Sequence, residues 1–197
     1  KYKYLGNVFN SVHRMSSNVM RENTMYLIDK ANKALFSLYK KTKILGHLKP
    51  KTMLLLFDSL IKPILLYGIE IWGTDKMACE KIESIHLRFL RNMLGVKCTS
   101  ANSMIYGETG RLPIYVEGHV RMIKNFIRLS NMTQTSLLSR VFKELQGIDD
   151  LCSRTWVSKV KSCIMQYNLD YDHILNERNS GRIKHALNQH KIGRAHV

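Results

Sequence analysis

Adjacent carboxylates are the side chains best suited to chemistry on phosphates, and this chain has one such pair, Asp149-Asp150. Two neighbouring carboxylates can hold divalent cations, and a two-metal site activates a hydroxyl and stabilises a departing phosphate. The flanks argue against that use here. Gly147 precedes the pair and both sides carry a helical apolar pattern, so Asp149-Asp150 reads as a loop between two helices. No Ser-His-Asp set, phosphate loop or paired general acid and base is legible elsewhere. Cys79, Cys98, Cys152 and Cys163 form no CxxC pair. A zinc set can be drawn from Cys152, Cys163, His185 and His190, but its spacing fits no common finger. The sequence therefore assigns no catalytic residue and no metal ligand.

What the chain offers instead is positive charge. Lys and Arg number 31 against 15 Asp and Glu, a formal net charge of +16 over 197 residues. Such a surplus repels itself and favours an anionic partner. Phosphate backbone comes first, because neutralising phosphates releases condensed counterions. An anionic membrane surface comes second. The composition, 45 % hydrophobic and 23 % charged, is that of a globular chain, and 11 Gly with 3 Pro favour helices over turn-rich β structure. Four thiols without a disulfide framework suit a reducing compartment. The opening KYKYLGNVFN lacks the apolar segment of a signal peptide. The apolar run Met53–Trp72 has about the length of a membrane span. It contains Asp58, Lys62, Pro63 and Glu70, so a buried helix explains it better.

The elements that must position the charges follow from periodicity. Tyr2–Leu5 and Asn7–Phe9 read as two short strands with Gly6 at the turn. Val19–Leu45 reads as a helix with Ile28, Ala31, Leu35 and Leu38 on its inner face and Gly46 as its stop. A second helix starts at Pro50 and runs to Trp72. It is apolar around much of its circumference and is expected to be the most buried element, with Pro63 kinking or breaking it. Lys76–Leu94 follows, with Ile82, Ile85, His86, Phe89, Leu90 and Met93 inward and Gly95 as its stop. Gly107–Pro113 reads as a turn-rich link, and a division of the chain is expected in Ser100–Pro113. Pro113 opens a helix with Val116, Val120, Ile123 and Ile127 inward. Helices near Gln134–Gln146 (Leu137, Leu138, Val141 and Leu145 inward) and Arg154–Gln166 complete the pattern, and a short one falls near Gly181–His190.

Lysines and arginines recur at helical spacing outside these inner faces. Lys30, Lys33, Lys40, Lys41 and Lys43 lie on the first long helix, Arg88 and Arg91 on the third, and Arg121, Lys124 and Arg128 on the fourth. Basic side chains so placed can contact phosphates without reading bases.

Three strings occur in order: Lys3-Tyr4-Leu5-Gly6, Ile64-Leu65-Leu66-Tyr67-Gly68-Ile69-Glu70-Ile71-Trp72-Gly73, and Tyr106-Gly107-Glu108-Thr109-Gly110-Arg111-Leu112-Pro113-Ile114. Together with His86–Val96, Arg121 and Trp156–Lys161, they resemble the region downstream of the catalytic aspartates in reverse transcriptases of LINE-type (non-LTR) retrotransposons. The resemblance extends to about Tyr167. It implies a mainly α chain: a palm-edge hairpin over 1–12, a thumb-like helical bundle over 13–99 and a helical connecting region over 100–170. The segment 171–191 stays open as helix or tail, and 192–197 (IGRAHV) resembles a translated sequencing adapter and is assigned no role.

By the same resemblance Tyr4, Leu5 and Gly6 would form the primer grip, and the basic stripes would lie along an RNA–DNA hybrid of template and primer. An RNA–DNA hybrid is close to A-form, and its shallow minor groove is recognised by shape, sugar and phosphate. In the family the catalytic pair follows an aromatic and an arbitrary residue; here the aromatic position is Gly147. This stretch alone is therefore expected to be inactive. The parent would be an intracellular RNA-directed DNA polymerase using Mg²⁺, its upstream palm and fingers joined to this stretch. Two other readings remain: a stand-alone basic helical module that binds nucleic acid without any enzyme, and a helical protein that binds a membrane surface or a partner.

Overall fold

A computed structural model describes residues 2–4, 7–9, 19–46, 48–133, 136–152 and 155–169, with side chains from residue 22 onward. The described chain is mainly α-helical. The helices are α1 (Val19–Leu45), α2 (Pro50–Leu60), α3 (Lys62–Leu65), α4 (Ile69–Trp72), α5 (Lys76–Leu94), α6 (Asn102–Thr109), α7 (Ile114–Ser130), α8 (Leu137–Leu151) and α9 (Trp156–Gln166). They form two compact units, one of Lys1–Gly68 with Asp75–Tyr115, the other of Ile69–Thr74 with Val116–Val197.

In the first unit α1 packs on α3 and α5; Ala31, Leu35 and Leu38 are buried as expected, but Leu27, not the half-buried Ile28, completes the inner stripe. Gly46 and Gly95 follow α1 and α5 with φ of +84° and +68°, a left-handed conformation that costs glycine little. The continuous helix expected over Pro50–Trp72 does not form. Pro63 has no N–H to give the helix and sits at the start of α3, and Gly68, at φ +66°, separates α3 from α4. Nor is this segment buried all round. Met53, Phe57, Ile61 and Leu65, spaced four apart, are inside, whereas Leu55, Leu60 and Ile71 are exposed. The larger share of this core comes from α5, where Ile82, Phe89 and Leu90 are fully enclosed and Phe89 stacks on Phe57 with centroids 4.4 Å apart.

Helix α6 occupies part of the stretch expected to be a turn-rich link. Only Ile105 of its residues is buried, so it has no inward stripe to reveal it. Long-range polar contacts hold it. The Tyr106 hydroxyl donates to Glu83 Oε1 at 2.6 Å, and His86 Nδ1 donates to the same oxygen at 2.9 Å. Burial, then the Glu83 charge, pushes the Tyr106 phenol far above its ordinary range. Beyond α6, Arg111 donates through Nη1 and Nη2 to both oxygens of Asp58 at 2.8 and 2.7 Å, with Lys62 at 3.2 Å. Partial burial opposes ionisation of Asp58, but Arg111 and Lys62 outweigh it and hold the carboxyl below its usual range.

In the second unit α7 buries Val116, Val120, Met122, Ile123 and Phe126. Phe126 meets Phe142 edge-on at 5.6 Å and lies 6.1 Å from Trp156. Ile69 and Trp72 are buried here. Gly118 lets α7 pass against Ile69, for a Cβ there would sit 2.2 Å from Ile69 Cδ1. Thr155 caps α9 by accepting from Ser158 N. Two expectations about α8 are corrected. Asp149-Asp150 lies in its last turn, not in a loop, because the Asp149 carboxylate accepts from Thr155 and from Lys161 Nζ at 3.1 Å. Its inward residues are Ser139, Phe142 and Asp149, while Leu137, Leu138 and Val141 face outward.

Gly118→Ala should destabilise the protein by about 1–3 kcal/mol, because the methyl overpacks against a fully buried Ile69. Gly147→Ala, in mid-helix with nothing within 4 Å, should stabilise it by about 0.5–1 kcal/mol. Urea denaturation of both variants measures the opposite signs; the same sign for both removes the packing argument.

Asp58→Asn should cost about 2 kcal/mol at neutral pH by leaving Arg111 without its carboxylate. The depressed Asp58 pKa stabilises the fold above the unfolded carboxylate value, about 4, and that contribution is lost as pH falls through the folded value. The gap between variant and parent in urea titrations should therefore close towards pH 3. A gap that stays constant with pH would show the effect is not electrostatic.

Candidate nucleic-acid interface

The basic residues occur in both units, those of α1 and α5 in the first and those of α7 in the second. At about 100° per helical residue, Lys33 and Lys40 lie on the side of α1 away from Ala31 and Leu35. Lys30, Lys33, Lys40, Lys41 and Lys43 are all exposed. The Lys30 ammonium sits 5.0 Å from the Tyr26 ring centroid. Lys33 pairs with Asp29 at 2.7 Å, and the hydrogen bond and charge of that carboxylate raise its pKa. Both groups are exposed, so water screens the pair and Lys33 stays available to a stronger anion.

Arg88 of α5 joins this face. Its guanidinium donates to Asn32 of α1 and lies 5.7 Å from the ring centroid of Phe36, which is 62 % exposed. Phe36 escaped the sequence reading because it sits one residue past Leu35, outside the inner stripe. An exposed ring beside a guanidinium is the sort of surface on which a base or sugar can stack. Burial pushes the Tyr39 phenol up to about 12, with the Arg88 charge opposing. At the end of α1 an open cleft of about 500 Å³ is lined by Tyr39, Thr42, Lys43, Met53 and Asn92.

Arg91 has a different part. Nη2 donates to Ser100 O at 2.9 Å and to Asn102 Oδ1 at 2.5 Å, and Nε is buried. Its guanidinium fastens the approach to α6 and is not presented to solvent like the others.

In the second unit Arg121 pairs with Glu117 at 2.9 Å, Arg128 donates to Asn125 Oδ1 at 2.9 Å, and Lys124 is exposed. Lys161 is committed to the buried Asp149. The hydrogen bond from Thr155, with that from Lys161, holds the Asp149 carboxyl below its usual range. Adjacent helical residues point about 100° apart. Asp149 faces inward and Asp150 is exposed, so the two do not fit a shared metal site. Among the described residues no three His, Cys, Asp or Glu side chains gather to hold a metal, and no helix is long and apolar enough to cross a membrane. Leu5, Gly6 and the side chain of Tyr4, expected to form the primer grip, lie outside the described residues, as do His185 and His190.

Residues of the later motifs serve as joints of the fold. Tyr106 and Arg111 tie α6 and the stretch after it to Glu83 and Asp58. The Trp156 indole N–H donates to Glu70 O at 3.1 Å. His119 Nε2 lies 3.1 Å from Gly73 O and Nδ1 lies 2.6 Å from the Tyr167 hydroxyl. A carbonyl only accepts, so in the neutral ring Nε2 carries the proton and Nδ1 accepts from Tyr167. His119 went unnoticed in the sequence because a single histidine in an apolar helix carries no spacing signal. Set against known proteins, the chain matches no protein-family model, no curated protein and no solved structure.

Proposed function

We propose that this chain is the primer-grip edge, thumb and connecting region of a LINE-type reverse transcriptase, and that it grips the template–primer duplex without performing the chemistry. The ordered strings from Lys3 to Ile114 carry the reading, and the exposed basic faces supply its physics. Lys30, Lys33, Lys40, Lys41, Lys43 and Arg88 would meet phosphates on one face, and Arg121, Lys124 and Arg128 on the other. Tyr4, Leu5 and Gly6 of the N-terminal hairpin would press on the primer end. Mg²⁺ and the catalytic carboxylates would belong to the upstream part of an intracellular RNA-directed DNA polymerase.

The chain should bind RNA–DNA hybrid with little sequence preference, measured by fluorescence anisotropy across a salt series. Log affinity should fall with log salt at a slope near minus one per neutralised phosphate, with about four to eight contacts. Replacing Lys33, Lys40 and Lys43 with Gln, or Arg121, Lys124 and Arg128 with Gln, should flatten the slope by about two to three. Replacing Lys143 and Lys159 should do less; Lys161 is unsuitable as a control because it neutralises Asp149. Equal effects from all sets would mean that net charge alone binds. No binding at low salt would remove nucleic acid as the partner.

Given Mg²⁺, template, primer and nucleotides, the chain should extend no primer, since Asp149 and Asp150 do not share a site. Primer extension above a protein-free control would overturn the inactive reading.

A further inference from the structure

Helix α8 is amphipathic in the reverse of the usual sense. Its inward face carries Ser139 and Asp149 beside Phe142, while Leu137, Leu138, Val141, Ile148 and Leu151 face outward, from 46 % exposed at Leu138 to 89 % at Leu151. At about 100° per residue they share one sector with the half-buried Leu145, interrupted by Glu144. Single exposed apolar residues are ordinary, but a stripe that runs along four turns marks an interaction surface.

We propose that this stripe is a self-association surface on which two copies of the chain pair through antiparallel α8 helices. Three observations favour a second copy over another occupant. First, four residues of the stripe are arranged symmetrically about the midpoint between Glu144 and Leu145. Leu138 and Leu151 are equidistant from that point, and so are Val141 and Ile148. A two-fold axis there sets Leu138 of one copy against Leu151 of the other and Val141 against Ile148, as an isologous interface requires. A foreign partner would not need this symmetry. Second, the outward side chains expose on the order of 500 Å² per copy, so a pair would bury about 1,000 Å², the lower bound for a specific interface. Third, the helix escapes the charge of the chain. Of its exposed residues two basic ones, Arg140 and Lys143, are balanced by two acidic ones, Glu144 and Asp150, within a chain of net +16, while the inward Asp149 is held by Lys161. Copies meeting through α8 place a near-neutral helix at the contact, not a basic one.

Sedimentation equilibrium of the full chain, free of nucleic acid and up to about 100 µM, should show a monomer–dimer equilibrium more than half shifted to dimer at the top of the range. The double variant Val141→Glu, Ile148→Glu should remain monomeric with unchanged far-ultraviolet circular dichroism. Glu144→Leu removes the charge that each copy would set against Leu145 of the other and should tighten the dimer about tenfold. That variant alters an exposed position, so it keeps the test decisive if the double variant fails to fold. A full chain that stays monomeric, a double variant that still dimerises, or a Glu144→Leu variant with unchanged association would each overturn the proposal. A monomer that loses stability on both Glu replacements would show another segment of the chain lying over the stripe, which also overturns it.

Discussion

Two backbone carbonyls, those of Glu70 and Gly73, set the terms for the second unit. Breaking the apolar run at Pro63 and again at Gly68 leaves α4 a single turn. A helix that short ends with acceptors it cannot satisfy itself. Burying them unmet would be costly, since a lost partner in the interior leaves the full desolvation penalty standing. The chain meets them with side chains far along the sequence, the Trp156 indole and the His119 imidazole. The positions of α7 and α9 follow from those two bonds, and the missing side chain at Gly118 then lets α7 come close enough to Ile69. The string that ends in Trp72-Gly73 thus reads physically as a socket for later helices.

The first unit relies on a comparable device with charge. Asp58, Arg111 and Lys62 are partly buried together, and Glu83 gathers His86 and Tyr106 in the interior. Glu83 Oε2 is buried without a bond, so the cluster stores some unfavourable desolvation while fixing where α6 lies. Groups with few permitted partners specify a register in a way that interchangeable leucines do not.

How much of this the sequence disclosed depends on how local the cause was. Helices α1, α5 and α7 were legible because each carries one continuous inner stripe, and the stops at Gly46 and Gly95 were legible because only glycine takes positive φ without strain. The break at Pro63 was visible, but the one at Gly68 was not, since a lone glycine in an apolar run does not announce its φ. Helix α6 was hidden because its reason for existing lies in Glu83 and Arg91, more than one turn of chain away. The facing of α8 was misread because periodicity locates an apolar face without saying what it faces. Of the basic candidates, exposed lysines were easily found. The commitment of Arg91 to Ser100 and Asn102 depends on a loop folding back, which no spacing rule reports.

The route of the chain carries one further consequence. It leaves the first unit at Gly68, returns at Asp75 and leaves again after Tyr115, so neither unit is a continuous stretch. No single cut can separate them intact. A cut within Ser100–Pro113 detaches α7 and α9 from the six residues Ile69–Thr74 that their side chains were shaped to hold. Trp156 would lose an acceptor, Gly118 would face a hole in place of Ile69, and buried apolar surface on α7 would open to water. Proteolytic fragments of this protein are therefore expected to stay associated or to unfold, and dissection by sequence position would misrepresent both halves.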